Sequence, residues 1–171
     1  MTHQEAVALI QAAPLSPGQS WADLGAGAGR FSMALAELLG PEGVVWAVDK
    51  KPGRLVAEPG QAEMKVLRQD FMQPMSLPLL DGILMANALH YVADQKGFLS
   101  EISTYLHPGG QFMLIEYDRA RRSPWVPYPL SSEEFRLLAG QVGLTEVKEL
   151  GRMPSRYGNG DMYAMWGKWP G

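Results

Sequence analysis

The sequence predicts an α/β fold: a doubly wound, mainly parallel sheet of seven strands, with an antiparallel last strand and helices in three α/β/α layers. Apolar runs of strand length alternate with stretches of helical periodicity, which is the pattern of right-handed βαβ units. A glycine-rich turn follows the first apolar run, the place where open parallel sheets bind ligands. The last two predicted strands are separated by only about ten residues, which is too short for a helical crossover and therefore indicates antiparallel pairing.

The first half of the chain supplies the amino-terminal part of this sheet. Prolines and glycines mark the ends of its elements, because proline cannot continue a helix and glycine ends one in a left-handed conformation. The predicted elements are a helix over Thr2–Ala13, a strand at Trp21–Leu24, a helix over Arg30–Leu39, a strand over Val44–Val48, a short helix opened by Pro52 and a strand over Met64–Gln69.

The second half continues the alternation after an irregular connection through Pro74 and Pro78. Ser131 lies three residues before Glu134, which is the spacing of a helix capping box. Residues 118–130 are rich in arginine, proline and aromatic residues, and we expect a long ordered loop there. The remaining elements are a strand over Gly82–Ala86, a helix over Asp94–Leu106 closed by 107–110, a strand over Gln111–Tyr117, a helix from Ser131 to about Gln141, and strands at Val147–Leu150 and Met162–Trp169.

Composition limits the classes of function. A length of 171 residues favours one domain over residues 1–171. With no cysteine, disulfides, thiolate metal sites and cysteine nucleophiles are excluded, and no histidine or carboxylate cluster has metal-ligand spacing, so we expect no metal. The net charge of −3 argues against nucleic-acid binding. Neither a signal peptide nor an apolar run of membrane-spanning length is evident, so we expect a cytoplasmic protein.

The glycine turn 25–29 is the centre of the predicted site. A dinucleotide-binding turn requires a small residue where Arg30 stands, so that motif fits poorly, and the phosphate-binding lysine motif is missing. Asp49 follows Gly29 at the spacing of a carboxylate that accepts ribose hydroxyls. Asp23, beside the glycines, suits an ammonium group. These residues together predict a nucleoside ligand that carries an amino acid and no phosphate.

The chain resembles the class I, Rossmann-like, S-adenosylmethionine-dependent methyltransferases, including the small-molecule and quinone-biosynthesis type. The motifs that carry the resemblance stand in family order between Trp21 and Tyr117. They are the blocks 23–29 (DLGAGAG), 48–49 (VD), 69–71 (QDF), 81–90 (DGILMANALH) and 108–110 (PGG). A departure is His107, which stands before Pro108 where the family often has a basic residue.

The resemblance implies S-adenosylmethionine as cofactor and assigns a part of it to each motif. Asp23, together with the backbone of Gly25, Ala26, Gly27 and Gly29, would hold the methionine part. Asp49 would accept from the ribose. Asp70 would accept from the adenine amino group, with Lys50 and Phe71 beside the ring, and Asn87 and Ala88 would line the sulfonium side.

We expect a small organic molecule as methyl acceptor. His90, with Tyr91 next to it, is the candidate base if the acceptor must lose a proton; the alternative is a hydrogen-bonded residue of the pocket wall. In the loop, Trp125 and Tyr128 are candidates for an apolar wall, and Arg119, Arg121 and Arg122 for attraction of an anionic acceptor; the alternative is a surface loop with solvated arginines.

Two questions remain open at this point: what covers the site, and which of the competing functions the chain has. The chain has no room for the long lid region of many relatives, so its cover must come from the first helix, the loop 118–130 or a second subunit. A homodimer would provide one, and Tyr163, Trp166 and Trp169 are aromatic candidates for its surface. The competing functions are a non-catalytic, methyltransferase-like partner module and an NAD-binding domain.

Overall fold

A computed structural model describes residues 1–155 and 160–171. Over these residues the chain forms one sheet of seven strands with two α-helices on each face. The elements are α1 (His3–Ile10), β1 (Ser20–Leu24), α2 (Arg30–Leu39), β2 (Val44–Asp49), β3 (Glu63–Arg68), β4 (Leu80–Ala86), α3 (Gln95–Ile102), β5 (Leu106–Tyr117), α4 (Ser132–Gln141), β6 (Thr145–Pro154) and β7 (Asp161–Lys168), with 3₁₀ turns at Leu89–Tyr91 and Ser103–Tyr105.

The strand order is β3-β2-β1-β4-β5-β7-β6. Strands β1 to β5 pair in parallel, and β7 runs antiparallel to both β5 and β6. This arrangement confirms the predicted mainly parallel sheet with its antiparallel last strand. The order reverses between β1 and β4, so the carboxyl ends of these two strands border a crevice in which open α/β sheets bind ligands.

The core lies on both faces of the sheet. One face is covered by α1 and α2, with Trp21, Leu35 and Leu84 among the fully buried residues. The opposite face is covered by α3 and α4, with Phe112 and Phe135 packing at a centroid distance of 6.2 Å. Because both faces are covered, the central strands read as continuous apolar runs.

Several predicted boundaries are wrong. Helix α1 ends at Ile10 instead of Ala13, and α3 ends at Ile102, where a 3₁₀ turn continues the chain. Strand β5 begins at Leu106 instead of Gln111, so the segment predicted to close α3 lies in the strand. The backbone N–H of Trp169 donates to the Gly110 carbonyl at 2.9 Å, so the chain beyond β7 pairs with this extension.

The short helix predicted at Pro52 does not form, since residues 52–58 hold no regular element. The Gly53 N–H donates instead to the Gly27 carbonyl at 2.9 Å, and Leu55 lies against Gly29. These contacts hold the segment over the glycine turn. Neither the connection from β2 to β3 nor the connection from β3 to β4 contains a helix.

Two aromatic residues proposed for a dimer surface are core residues. Tyr163 is fully buried and its hydroxyl donates to the Leu130 carbonyl at 2.9 Å, while the Trp166 indole N–H donates to Gln111 Oε1 at 2.7 Å. Trp169 is half-buried and its indole N–H donates to the Val142 carbonyl at 2.9 Å. Part of the predicted connection between the last two strands, residues 156–159, lies outside the described residues.

Candidate functional site

The glycine turn between β1 and α2 has a backbone that only glycine adopts readily. Gly25, Gly27 and Gly29 have φ angles of 83°, 53° and 79°. A Cβ at Gly25 would lie 2.6 Å from the Ala88 Cβ, so this glycine lets β1 and the chain after β4 approach closely. A Cβ at Gly27 would meet nothing nearer than 4.0 Å, because this glycine faces open space.

A cavity of about 360 Å³ lies over this turn, and we call it the turn cavity. The amino-terminal residue and the β6–β7 end of the sheet close its far side. Its lining residues are Met1, Asp23, Gly25, Ala26, Gly27, Ala28, Arg30, Phe31, Ala86, Asn87, Tyr117, Met153, Pro154 and Met162. Gly29 does not line it; this residue is the N-cap of α2 and packs against Leu55.

Asp23 provides a buried acid at the floor of the turn cavity. Its side chain is 1% exposed, and burial raises the pKa of its carboxyl to about 7, although the Ser32 hydroxyl donates to Oδ2 at 2.6 Å. Oδ1 is buried and has no hydrogen-bond partner among the described residues. An unpaired buried acceptor of this kind is suited to a cationic donor, which would stabilise the ionised form.

Asp49, at the end of β2, fixes the shape of the turn. Its Oδ2 accepts from the Gly27 N–H at 2.9 Å and its Oδ1 accepts from the Lys51 N–H at 2.7 Å. Each carboxylate oxygen has a second lone pair, so both can still accept from a ligand. Asp49 thus holds the turn and faces a neighbouring recess.

That recess has a volume of about 150 Å³ and brings together most of the residues predicted for ribose and adenine. The Lys50 ammonium lies 2.9 Å from Asp70 Oδ2, and its hydrogen bond holds the pKa of Asp70 below the usual range. Asp70 does not itself line the recess. The lining residues are Asp49, Lys50, Phe71, Met72 and Tyr91.

Asn87, directly after β4, stands at the junction of two cavities. Its φ angle of 52° is uncommon for a residue other than glycine, and its buried Oδ1 has no hydrogen-bond partner in the part of the chain that the structure describes. Backbone strain of this kind amounts to roughly 1–3 kcal/mol and is typical of functional sites. Ala88, in contrast, is buried against Gly25 and lines neither cavity, so it shapes the turn from behind.

His90 forms a buried pair with Glu116, the penultimate residue of β5. The His90 and Glu116 side chains are 2% and 1% exposed, and His90 Nδ1 lies 2.7 Å from Glu116 Oε2. Glu116 Oε1 also accepts from the backbone N–H of His90 at 3.1 Å. Because an ionised carboxylate only accepts, it places the imidazole hydrogen on Nδ1 and leaves a lone pair on Nε2. This Nε2 is buried, and residues 1–155 and 160–171 offer it no hydrogen-bond partner.

A second cavity, of about 430 Å³, lies beneath the loop 118–130, and we call it the loop cavity. The loop is held to the site, since the Tyr128 N–H donates to the His90 carbonyl at 3.0 Å. The lining residues are Asn87, His90, Tyr91, Tyr117, Arg119, Ser123, Trp125 and Val126. Tyr91, predicted beside His90, has its ring centroid 4.3 Å from that of His90.

The structure separates the loop residues that the sequence grouped together. Trp125 lines the loop cavity although it is 80% exposed, whereas Tyr128 does not line it and instead stacks with the Arg122 guanidinium at 5.5 Å. Of the three predicted arginines, only Arg119 reaches the cavity wall. Of the residues predicted for an aromatic wall and a basic group, Trp125 and Arg119 therefore line the loop cavity, and Tyr128, Arg121 and Arg122 do not.

Sequence reasoning missed Glu116 and the methionines Met1, Met153 and Met162. A signal for Glu116 exists, because a charged residue directly follows the buried run Phe112–Ile115 at a strand's carboxyl end. The methionines lie far from the motifs in sequence. Among the described residues, none of the histidine and carboxylate groupings could hold a metal ion, and none of the helices has the length and apolar character to cross a bilayer.

Comparisons with known proteins agree with this geometry. Residues 15–158 match the family model described as a methyltransferase domain. A ubiquinone/menaquinone biosynthesis C-methyltransferase of Bordetella parapertussis is 23% identical over 161 residues, covering 82% of this chain and 62% of that protein. The chain thus spans less than two thirds of this curated relative's length.

Solved structures share the fold at low sequence identity. The Burkholderia thailandensis 1,6-didemethyltoxoflavin-N1-methyltransferase, solved with its substrate and S-adenosylhomocysteine, superposes with a TM-score of 0.74 at 20% identity, covering 99% of this chain and 78% of that one. Human N-acetylserotonin methyltransferase, in complex with S-adenosylmethionine, gives a TM-score of 0.71 at 20% identity, covering 98% and 52%. The family model covers most of the sequence and the fold is that of class I methyltransferases, so the chain belongs to the methyltransferase domain family.

Proposed function

We propose that this protein transfers a methyl group from S-adenosylmethionine to a small-molecule acceptor. The observation that carries the proposal is the junction of the two cavities, where Asn87 and Tyr117 contribute to the walls of both. A donor in the turn cavity and an acceptor in the loop cavity would meet at this wall. Holding two reactants in line supplies roughly 7–11 kcal/mol of barrier lowering, which is most of what a methyl transfer requires from a protein.

The residues of the turn cavity and its recess fit the cofactor. Asp23 Oδ1 would accept from the ammonium group, and the open side of Gly27 leaves room for the methionine part. Asp49 would accept from the ribose hydroxyls, with Asp70, Lys50 and Phe71 around the adenine. When bound, S-adenosylmethionine supplies an electrophilic methyl group on a sulfonium sulfur.

His90 is the base that we propose for an acceptor that must lose a proton. Its Nε2 has no hydrogen-bond partner among the described residues, and the loop 118–130 supplies part of the wall of its cavity. Glu116 is a positioning residue that fixes the imidazole tautomer and would balance the imidazolium charge. General-base catalysis contributes typically about 10² to 10⁴ in rate.

The test is calorimetric titration of the full chain with S-adenosylmethionine and S-adenosylhomocysteine. We expect both to bind, and Asp49→Ala to weaken binding at least about tenfold because a ribose acceptor and a turn-fixing acceptor are lost. Glu101→Ala, which removes the same charge from the exposed face of α3, serves as the control. Absence of binding by the intact protein would contradict the proposal and favour the non-catalytic partner module.

The cytoplasmic location and a homodimeric assembly remain predictions from the sequence. The dinucleotide alternative receives no support from the site, because Arg30 lines the turn cavity where a dinucleotide-binding turn needs a small residue.

A further inference from the structure

The loop cavity has an asymmetric charge distribution. Arg119 is the one cationic side chain among its lining residues, and none of these residues is a carboxylate. Of the acids near it in sequence, Glu116 is bound to His90, and Asp118 pairs with Arg152 and accepts from the Ser132 hydroxyl at 3.0 Å. The described ion pairs leave the Arg119 charge without an acid. A ligand in this cavity therefore gains most from an anionic group near Arg119.

A second feature is the hydrogen-bonding polarity of His90 and Asn87, which both line the cavity. Among the described residues, neither His90 Nε2 nor Asn87 Oδ1 has a hydrogen-bond partner, and both atoms are buried. With an ionised Glu116 accepting the Nδ1 hydrogen of a neutral imidazole, His90 Nε2 carries a lone pair. A ligand must therefore bring a donor, such as a hydroxyl, to these atoms.

The other residues that line the cavity favour a flat ring. Tyr91, Tyr117 and Trp125 contribute aromatic surface and Val126 contributes a buried apolar side chain. The volume of about 430 Å³ is at the lower end of the range for small-molecule sites, which is roughly 300–1,000 Å³.

From these three features we propose that the methyl acceptor is a hydroxylated aromatic acid, with its hydroxyl at His90 and its carboxylate at Arg119. This inference rests on the proposed function and specifies its substrate class. The hydroxyl proton passes to His90 Nε2 and the oxygen forms the bond to the methyl carbon. The carbon–sulfur bond breaks with its electron pair moving to sulfur, so the products are a methyl ether, a neutral thioether and a proton released to water from His90.

The experiment titrates probes into the protein saturated with S-adenosylhomocysteine. The probes are 3-hydroxybenzoate and 4-hydroxybenzoate, the neutral 3-hydroxybenzyl alcohol, and 3-methoxybenzoate, which lacks the hydroxyl donor. We expect at least one hydroxybenzoate to bind about tenfold or more tightly than the other two probes. The benzyl alcohol cannot form the charged hydrogen bond to Arg119, and 3-methoxybenzoate cannot donate to His90. With S-adenosylmethionine carrying a deuterated methyl group, mass spectrometry should detect the labelled methoxybenzoate.

Variants separate the charge of Arg119 from the basic character of the loop. Arg119→Gln should remove the preference for the hydroxybenzoate over the neutral phenol. Arg121→Gln, which removes the same charge from an exposed position outside the cavity lining, should leave it unchanged. Binding of S-adenosylhomocysteine should be the same in all three proteins.

The outcomes distinguish the two levels of the proposal. Equal binding of charged and neutral phenols, or an unchanged preference in Arg119→Gln, would overturn the acceptor class while leaving methyl transfer intact. The same holds if S-adenosylhomocysteine binds and none of the probes does. If S-adenosylhomocysteine itself fails to bind, the proposed function fails as well.

Discussion

Glu116 holds His90 at two points, accepting from its backbone N–H at 3.1 Å and from its ring Nδ1 at 2.7 Å. The two residues are 26 positions apart in sequence: Glu116 lies on β5, and His90 lies in the 3₁₀ turn that follows the neighbouring parallel strand β4. Two contacts from one carboxylate fix the ring orientation as well as the tautomer. His90 lines the loop cavity, and its buried Nε2 has no hydrogen-bond partner among the described residues.

Replacing Glu116 by glutamine should lower the single-turnover rate of methyl transfer by about 10- to 100-fold, the range for lost support of a functional imidazole. The amide can donate to Nδ1, which allows the imidazole hydrogen to move to Nε2. Nitrogen NMR of the labelled imidazole should therefore show loss of the single Nδ1-protonated tautomer, a change that a purely structural role would not produce. Affinity for S-adenosylhomocysteine should not change.

The control for this prediction is the His90→Ala background, in which Glu116→Gln should lower the rate no further, because the two residues act as one unit. A Glu116→Gln protein that keeps both the tautomer and the wild-type rate would show that Glu116 only packs.

Asp23 should make stability depend on pH in an unusual direction. Its pKa rises from 3.8 to about 7 on folding, so the folded state binds the proton more tightly and its stabilising contribution is lost as pH rises through about 7. We expect wild type and Asp23→Asn to be similar near pH 4. Near pH 8, wild type should be less stable by up to about 4 kcal/mol, at 1.36 kcal/mol for each pKa unit. Urea unfolding at both pH values measures this difference.

The same acid should couple ligand binding to proton release. An ammonium group at Asp23 Oδ1 favours the ionised carboxyl, so affinity for S-adenosylhomocysteine should increase as pH rises toward about 7 and then level off. Calorimetry in two buffers of different ionisation enthalpy should detect the released proton near pH 6 in wild type and less of it in Asp23→Asn. For the unfolding experiment, a difference in stability between wild type and Asp23→Asn that does not change with pH would contradict the raised pKa of Asp23.

Gly25→Ala should destabilise the protein for two separable reasons. The left-handed φ of 83° disfavours any Cβ by roughly 1–2 kcal/mol, and the new Cβ would overlap that of Ala88 at 2.6 Å. Overpacking of this kind adds typically about 1–3 kcal/mol. Denaturant unfolding should show a lower free energy of unfolding, and calorimetry should show a lower affinity for S-adenosylhomocysteine.

Two controls resolve these contributions. Gly143→Ala has a φ of 78° and no neighbour within 4 Å of the new Cβ, so it measures the penalty of a positive φ without overlap. Adding Ala88→Gly to Gly25→Ala should restore the part due to overlap. The effect of Ala88→Gly alone is measured separately and subtracted. If the double variant is then no more stable than Gly25→Ala, Gly25 and Ala88 do not lie as close together as described.

The sequence was most informative where chemistry is local. The apolar run of β2 ends at Asp49 as predicted, and the capping box of Ser131 and Glu134 forms, with Ser131 Oγ accepting from the Glu134 N–H at 3.3 Å. Both depend on residues within a few positions of each other. The turn cavity likewise assembles around the motif residues Asp23, Gly25 and Gly27.

What the sequence did not predict depends on contacts between distant segments. The pairing of Glu116 with His90 requires the register that sets Ala86 opposite Ile115. The choice of Arg119 over Arg122 depends on the stacking of Arg122 with Tyr128. The missing helix after Pro52 reflects the contact of Gly53 with the glycine turn, which overrides the local preference of a proline to begin a helix.

The shared wall of Asn87 and Tyr117 has a thermodynamic consequence. If filling the loop cavity changes the affinity of the turn cavity by some factor, the reverse effect must have the same factor, because coupling free energies are reciprocal. An acceptor analogue should therefore shift the dissociation constant of the nucleoside product, and the nucleoside should shift that of the analogue equally. A substitution at Asn87 that weakens this coupling must therefore weaken it by the same factor in both directions.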